Sequence, residues 1–313
     1  MKKVLLFAAF IAISSTSAFG ESLAAIMLQH NGSVTMFESD KMSAAISAAV
    51  KGDTIYLSEG AFVGDFTISK EVCIIGAGQG TLIQGNVTVS IDNTPTLSAH
   101  LLDAVNMANY TLTVNKAVKN LKLRKCNFNS ISVSANITDL SIDRCRLYNF
   151  YPYYVKSGNV LNSYIYDLYG DSGSTNTINY INCNINRKNS YVAATFINCL
   201  IQSYDGSANN CVFINTRYST YMSIGTTSST QNCYTGGTFS EYTDEATKVK
   251  YNTIPSDWLE DNGYLGTDGS IIGMFGGTSP FSLVPNVPTV TESKISVDTA
   301  NKKLNVTLKV SAN

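Results

Sequence analysis

Apolar and polar residues alternate with a period of two in short segments along most of the chain, for example at Leu121 and Leu123 and again at Leu140 and Ile142. A period of two lines one face of a β-strand, whereas a helix repeats about every 3.6 residues. Segments with this alternation follow one another from about residue 53 to 240 with no helical pattern between them. The chain is therefore predicted to consist mainly of short strands.

One short phrase recurs seven times between Cys126 and Cys233, namely apolar-x-apolar-x-(Asn or basic)-Cys-x-apolar. The copies are LRKCNF (123–128), IDRCRL (142–147), VLNSYI (160–165), YINCNI (180–185), FINCLI (196–201), ANNCVF (208–213) and a degenerate TQNCYT around Cys233. Ser163 replaces Cys once, and the spacing at this position is 19, 18, 20, 16, 12 and 22 residues. Such a period predicts a solenoid, here a right-handed parallel β-helix over 53–240.

The two residues at the centre of the phrase have separate structural interpretations. Asn tolerates the left-handed backbone needed where one short strand bends into the next. The Asn residues at this position are Asn162, Asn182, Asn198, Asn210 and Asn232. The following Cys would point inward as a small apolar side chain, and Cys126, Cys145, Cys183 and Cys199 would form a ladder of free thiols. Parallel stacked side chains fit disulfide geometry poorly, and with no CxxC pair and two His the sequence predicts no metal site.

The N-terminal 52 residues contain two segments that precede the coils. Residues 1–20 combine Lys2 and Lys3, an apolar run and small residues before Glu21, as in a secretory signal peptide. Residues 21–52 predict a hairpin around Asn31-Gly32, followed by a helix that begins with Ser39 or Asp40 as its cap and ends at Gly52. This helix is expected to cover the open end of the solenoid.

The composition changes after residue 240. Residues 241–313 contain the only Trp, several prolines and a Gly-rich stretch, then two alternating strands that predict a terminal hairpin. We expect this region to form a C-terminal cap, with the hairpin packed along or over the end of the coils; a small separate β-module is the alternative. The glycines of 76–80 lack the Lys-Ser/Thr of a phosphate-binding loop, so they are interpreted as a turn between strands.

Together with the N-terminal segment, the coil phrase resembles the pectin-lyase-like right-handed parallel β-helix superfamily, and most closely uncharacterised secreted β-helix proteins of anaerobic Gram-negative bacteria. The resemblance covers nearly all of the chain after residue 20. It implies an all-β fold, but that superfamily includes polysaccharide lyases, glycoside hydrolases, adhesins and proteins of no known activity. The resemblance by itself therefore does not choose between an enzyme and a binding protein.

Polysaccharide cleavage is the enzyme hypothesis that the resemblance implies. Lyases of this fold use carboxylates that hold Ca²⁺ and an Arg or Lys base, so Asp143 and Arg144 are candidate catalytic residues, and calcium would be a cofactor only in this case. Two Asp pairs are spaced by four residues, Asp139 with Asp143 and Asp167 with Asp171, but no adjacent Asp-Asp pair occurs between 86 and 240. The Asp-Asp, Gly-His-Gly and Arg-Ile-Lys segments of polygalacturonases are absent.

Tyrosine and arginine provide the alternative site. Twelve of the 18 Tyr lie between Tyr148 and Tyr221, and aromatic rings stack on sugars while their hydroxyl groups form hydrogen bonds. Basic residues between 116 and 146 could form a positive stripe that attracts an anionic glycan, although they could equally form a solvated face, just as the tyrosines could simply cover a β surface. The predicted ligand-binding residues are Tyr151, Tyr153, Tyr154, Tyr164, Tyr166, Arg124 and Arg144.

Charge and hydropathy limit the function classes further. The formal net charge is −1, which argues against nucleic acid as a partner. After residue 20 no apolar stretch approaches the roughly 18 residues of a membrane span. The sequence thus favours an exported protein of the cell surface, periplasm or extracellular space that binds a glycan without catalysis. A polysaccharide lyase or related carbohydrate-active enzyme is the alternative, and a structural or adhesive spacer is the second.

Overall fold

The computed structural model of the chain is a parallel β-solenoid of about nine turns. It describes residues 24–170, 177–189, 193–205, 207–220, 222–236, 239–285, 289–298 and 303–311. The predicted signal peptide, residues 1–20, lies outside the described residues. In the described part of the chain, neither helix has the length and apolar character to cross a membrane.

Two sheets of twelve described strands each form the walls of the solenoid. The first sheet, in spatial order, contains Ser33–Glu38, Ala25–His30, Thr54–Leu57, Cys73–Ile75, Leu102–Asp103, Lys122–Arg124, Leu140–Asp143, Ser157–Leu161, Thr177–Ile181, Thr195–Ile197, Val212–Ile214 and Ser229–Gln231. The second sheet contains, in chain order, Gly60–Val63, Phe66–Ile68, Thr81–Gln84, Val87–Val89, Asn106–Val114, Asn127–Val133, Arg146–Tyr151, Tyr164–Leu168, Asn184–Asn189, Leu200–Asp205, Arg217–Tyr218 and Tyr234–Thr235. Coil strands thus run from Thr54 to Thr235.

Four smaller pairs complete the described strands. Two are parallel, Val118–Lys119 with Ile137–Thr138 and Ser207–Ala208 with Ser223–Ile224. Two are antiparallel, Ser240–Asp244 with Val249–Thr253 and Thr289–Asp298 with Lys303–Ser311. The second antiparallel pair is the predicted terminal hairpin. Its side chains lie outside the described residues, so its packing against the coils stays a prediction.

Inward rows of apolar side chains form the core, because parallel register places the same strand position of each coil directly above the previous one. In the first sheet one such row consists of Leu102, Leu123, Ile142, Val160, Tyr180, Phe196 and Phe213, all fully buried. The rings of Phe196 stack on both neighbours, 5.1 Å from Tyr180 and 5.2 Å from Phe213 between centroids. The period-two alternation therefore predicted the buried face correctly.

The residue that follows each described first-sheet strand from the third coil onward has a positive φ. These residues form the left-handed corner between the two sheets: Ala104, Lys125, Arg144, Asn162, Asn182, Asn198, Asn215 and Asn232. The predicted left-handed bends at Asn162, Asn182, Asn198 and Asn232 are confirmed. Asn210 also has a φ of 55°, but it precedes a first-sheet strand and belongs to a different corner.

The ANNCVF copy of the phrase is out of phase, because Cys211 lies opposite Ala194 rather than Cys199. The residue opposite Cys199 is Thr216, which follows Asn215, so the spacing becomes 17 residues from Cys199 to Thr216 and again to Cys233. Thr216 Oγ1 donates to the carbonyl two residues earlier, at 3.0 Å. Cys199 makes the same contact at 3.3 Å, as does Ser163 at 2.7 Å. From Cys126 onward the position therefore holds a small inward side chain that can donate, which Ser and Thr also provide, whereas the preceding coil has Val105 there.

The predicted thiol ladder is confirmed, since Cys126, Cys145, Cys183 and Cys199 are free and fully buried. Burial also raises the pKa of the Cys145 and Cys199 thiols well above the usual value, which disfavours the reactive thiolate.

We expect a thiol reagent at pH 8 to label Cys233 first in the native protein, because Cys233 is only half-buried. Cys73 is also half-buried, but burial raises its pKa to about 12, so it should react more slowly. Peptide mapping after timed alkylation would measure the order, and denaturation should release the four ladder thiols. Rapid native labelling of Cys145 or Cys199 would contradict the ladder.

The N-terminal hairpin and helix cover the first coil, as predicted. Ala25–His30 pairs antiparallel with the first coil strand, and helix α1, Met42–Ala48, adds Met42, Ala45 and Ile46 to the main core. The predicted cap residues are wrong, because Lys41 is the N-cap and makes no side-chain cap hydrogen bond. The helix ends at Ala48, before the predicted Gly52. At this end of the helix Lys70 donates to the carbonyls of Ser47 and Ala49.

Residues 239–285, here called the return segment, run back along the outside of the coils instead of extending the solenoid. The segment contains the hairpin Ser240–Asp244 and Val249–Thr253 and helix α2, Ser256–Asp261. Asn198 accepts from Thr267 N at 3.2 Å, Asn162 donates to Gly276 O at 2.7 Å and Lys125 donates to Val284 O at 2.5 Å. Since these partners belong to successively earlier coils, the segment follows the left-handed corner towards the N-terminal end.

Two small hydrophobic clusters attach the return segment to the outer surface of the second sheet. One contains Tyr164, Tyr251, Met274, Phe281 and Leu283, and the other contains Leu200, Ile254, Leu259 and Ile272. Tyr164 and Leu200 occupy the outward row of the second sheet nearest the corner. That row is therefore covered, and only the rows farther from the corner face solvent.

Candidate functional site

Tyrosines from adjacent coils stack in pairs on the outer surface of the second sheet. Tyr148 and Tyr166 are 4.5 Å apart between ring centroids with planes 6° apart, and Tyr151 and Tyr169 are 4.5 Å apart with planes 16° apart. The register explains both pairs, because Leu147 lies opposite Ile165 and Phe150 opposite Leu168. One strand spacing, about 4.8 Å, is close to the stacking distance of two aromatic rings.

Two further tyrosines extend this surface. Tyr153 and Tyr154 lie in the turn after the strand Arg146–Tyr151 and are 36% and 48% exposed. The ring of Tyr153 tilts against Tyr151 with centroids 5.8 Å apart. We call this surface the tyrosine face, and its members are Tyr148, Tyr151, Tyr153, Tyr154, Tyr166 and Tyr169.

Stacking leaves the second face of Tyr148, which is 39% exposed, available, whereas Tyr166 also packs against the return segment and Asn252 Nδ2 donates to Asn186 Oδ1 at 3.4 Å. The second face of Tyr148 is directed towards the preceding coil, where Asn129 lies opposite it, and that of Tyr166 towards Asn186 on the following coil. Asn side chains carry two donors and an acceptor site suited to sugar hydroxyl groups. The tyrosine face can therefore present flat apolar surfaces beside polar side chains.

Tyr164 is not part of this face, which corrects the prediction for that residue. Its side chain is 2% exposed and packs edge-on against Tyr251, with ring centroids 5.3 Å apart. Its hydroxyl oxygen accepts from Asn252 N at 3.4 Å, and burial raises its pKa to about 12. The reason is the return segment, which covers the row of the second sheet to which Tyr164 belongs.

An ion pair borders the tyrosine face. Arg187 Nε and Nη2 each lie 2.6 Å from a carboxylate oxygen of Asp167, and the Tyr169 hydroxyl group donates to the same carboxylate at 3.3 Å. Asp167 raises the pKa of Arg187, which is 45% exposed. Arg187 was not among the predicted site residues, because it lies outside the basic run of 116–146. The parallel pairing of Asp167 with Arg187 on the next coil is the signal that would have found it.

Arg124 and Arg144 lie on a different surface from the tyrosines. Arg124 is on the outer face of the first sheet, where its Nε is 3.1 Å from Asp103 and its Nη2 also binds that carboxylate. Arg144 is at the left-handed corner, with Nε 3.0 Å and Nη2 2.5 Å from Asp143. The predicted aromatic and basic residues thus lie on neighbouring coils but do not form one continuous surface.

Lys125, one of the basic residues between 116 and 146 that could have formed the positive stripe, is covered by the return segment. It is 4% exposed, and burial followed by the nearby Arg144 lowers its pKa to about 8. Since a buried ammonium group that donates to a backbone carbonyl is not available to a solvent ligand, the stripe is shorter than the sequence suggested.

The carboxylates of the coils lie in separate contacts. Asp139 is at a left-handed bend with a φ of 58°, outside the strand Leu140–Asp143, and its carboxylate accepts from Ser157 at 3.2 Å. Asp143 is paired with Arg144, so the spacing of four residues does not create a carboxylate pair. Asp171 lies outside the described residues. Within the described ranges, no group of three His, Cys, Asp or Glu side chains is arranged to hold a metal ion.

Comparison with known proteins identifies no relative from which a function could be inferred, so a functional assignment depends on the geometry of the site. No protein-family model matches the chain, and no significant match was found among curated proteins or solved structures.

Proposed function

We propose that this protein is an exported β-solenoid of the pectin-lyase-like kind that binds a glycan at the cell surface, in the periplasm or outside the cell, without cleaving it. The observation that carries the proposal is the tyrosine face, where two stacked ring pairs on adjacent coils expose further ring surface and hydroxyl groups. Sugar rings have apolar faces that pack on aromatic rings, and their hydroxyl groups bind neighbouring amides.

The electrostatics of the same surface favour a glycan with acidic groups. Arg187 is a partly exposed cation beside Tyr169, and a guanidinium group can bind a second carboxylate or a sulfate while it retains one partner. The proposed ligand is therefore a uronate-bearing or sulfated polysaccharide that packs a sugar ring on the exposed face of Tyr148, beside Tyr151 and Tyr153. Arg144, held by Asp143 at the corner, contributes at most to long-range attraction.

Glycan affinity tests the proposal. In a screen of soluble polysaccharides by affinity electrophoresis or calorimetry, at least one uronate-bearing or sulfated polymer should bind and elute unchanged in length. The double substitution Tyr148→Ala with Tyr153→Ala removes two exposed rings and should weaken binding about tenfold or more, as expected for removal of central aromatic contacts. Val63→Ala removes an exposed apolar side chain of the second sheet outside the tyrosine face and is the control.

The salt dependence of glycan binding tests the contribution of the arginine side chains separately. Arg187→Gln should weaken binding and reduce its salt dependence, whereas Arg144→Ala should change both less, because Arg144 is away from the tyrosine face. Absence of binding to any polymer would remove the glycan proposal and favour a structural spacer. Calcium-dependent release of unsaturated products, detected by absorbance, would establish a lyase instead.

A further inference from the structure

A groove of about 580 Å³ lies in the return segment, separate from the tyrosine face. It forms where the hairpin Ser240–Asp244 and Val249–Thr253 meets the start of α2 and the loop around Phe275 and Pro280. Its volume is within the range of about 300–1,000 Å³ typical of small-molecule sites.

Apolar side chains form most of the groove. Ile254 is buried beneath it, and Pro255 and Pro280 line the sides. Tyr242 is 44% exposed and contacts Phe275 edge-on, with ring centroids 5.3 Å apart. This contact fixes the tyrosine ring from one side, so the ring can serve as a preformed flat platform for a ligand.

The polar part of the groove is acidic. Asp257 and Glu241 line it together with the hydroxyl groups of Ser240, Thr253 and Ser256. Asp257 Oδ1 accepts from Trp258 N at 2.9 Å, which leaves its second oxygen for a ligand. Glu241 is paired with Lys250 at 2.8 Å, but both side chains are more than half exposed, and such surface pairs are weak.

The whole return segment, like the groove, carries a negative charge. Residues 239–285 contain seven acidic residues and two lysines, which gives a net charge of −5, whereas the whole chain has a net charge of only −1. A cation near the groove is therefore attracted both by the two adjacent carboxylates and by the surrounding segment.

We propose that this groove binds an amino sugar whose amine is protonated. The apolar face of the sugar ring packs on Tyr242, its ammonium group is held by Asp257 and Glu241, and its hydroxyl groups bind the Ser and Thr side chains. An ammonium ion next to an aromatic ring and a carboxylate gains from both charge attraction and cation–π contact. This site is independent of the proposed anionic-glycan site, because the two require ligands of opposite charge.

Glucosamine oligosaccharides and their N-acetylated equivalents provide a matched pair of probes, because acetylation removes the charge and keeps the ring. By calorimetry at pH 6 and low salt, the glucosamine oligomer should bind at least about tenfold more tightly than the acetylated one. Binding should weaken as salt rises and as the pH exceeds the pKa of the amine.

Variants of three residues separate the contributions. Tyr242→Ala should weaken binding about tenfold, whereas Tyr242→Phe should retain most of it because the ring face remains. Asp257→Asn should weaken binding about threefold to fivefold, as expected for an exposed charge contact. Lys250→Gln should strengthen it about twofold to threefold, because the substitution removes the cation that competes for Glu241.

Equal affinity for the charged and acetylated oligomers, no binding of either, or weaker binding by Lys250→Gln would overturn this proposal. The Tyr148→Ala with Tyr153→Ala variant should bind glucosamine oligomers normally, so failure of one site is distinguishable from failure of the other. Thermal unfolding of each variant serves as the folding control, and Lys250→Gln changes only an exposed side chain.

Discussion

Asn162→Val should destabilise the protein by about 3–5 kcal/mol, which is a large fraction of the stability of an ordinary domain. A β-branched residue at a φ of 43° is strained by about 1–3 kcal/mol. The substitution also removes the buried hydrogen bonds from Asn162 Nδ2 to Met274 O at 3.2 Å and Gly276 O at 2.7 Å. Each lost bond leaves a buried carbonyl group without that donor, at a cost of about 1 kcal/mol or more.

Glycine separates the two causes. Asn162→Gly keeps the left-handed backbone at little cost, so its loss of about 2 kcal/mol would measure the contacts to the return segment. Asn232→Gly is the matched control, because Asn232 occupies the same corner with a φ of 50° but is exposed. Chemical unfolding of the three variants measures these differences. Equal stability of the valine and glycine variants of Asn162 would show that backbone strain adds nothing to the cost of the lost hydrogen bonds.

Lys188→Leu should stabilise the protein by up to about 3 kcal/mol at pH 7, although it removes a charged residue whose Nζ donates to Asn189 O at 3.3 Å. Lys188 is fully buried and occupies an inward position where the preceding coil has Leu168. Its Nζ lies 5.7 Å from the centroid of the Phe196 ring, and burial lowers its pKa from 10.5 to about 8. A decrease of about 2.5 units corresponds to about 3 kcal/mol between the folded and unfolded states.

The pH dependence of this effect has a defined direction. Between pH 8 and pH 10.5 the unfolded chain binds a proton at Lys188 that the folded chain has lost, so the stability of the natural protein should rise with pH in this window. Below pH 8 the full penalty is present, and above pH 10.5 it vanishes. The leucine variant should lack this rise. Chemical unfolding from pH 6 to pH 10 measures it, with Lys156→Leu, at an exposed position, as the control.

A destabilised Lys188→Leu variant would show that the ammonium group makes contacts worth more than its burial costs. Because the Cys211 thiol is next to Lys188 and partly offsets the decrease in its pKa, Cys211→Ala combined with Lys188→Leu tests whether the two side chains are coupled. If the effects of the two substitutions on the free energy of unfolding are additive, the cost of Lys188 comes from its burial alone.

The sequence by itself determined the coils, because strand alternation and left-handed bends are local properties of the backbone. The alternation at Leu123 and Ile142 identified the inward face, and Asn162 and Asn182 marked the corner through the backbone preference of Asn. The same local pattern is misleading at Cys211. The Asn and Cys residues of the phrase recur there, but Cys211 does not pair with the position of Cys199 on the preceding coil. Only the pairing of Cys199 with Thr216 resolves that ambiguity, since register depends on the neighbouring coil.

The tertiary structure alone decided which outward residues remain exposed. Tyr164 and Tyr166 share a strand and differ by one pleat repeat, yet the return segment buries the first completely and covers the second only in part, so that Tyr166 also stacks on Tyr148. The covering contacts join residues that are 88 positions apart for Tyr164 with Asn252 and 159 apart for Lys125 with Val284. No periodicity within a strand encodes such a contact, because it depends on the path of a segment that lies outside the repeat. The return segment therefore determines which residues of the candidate sites are accessible to a ligand, whereas the repeated sequence pattern by itself encodes the fold of the coils.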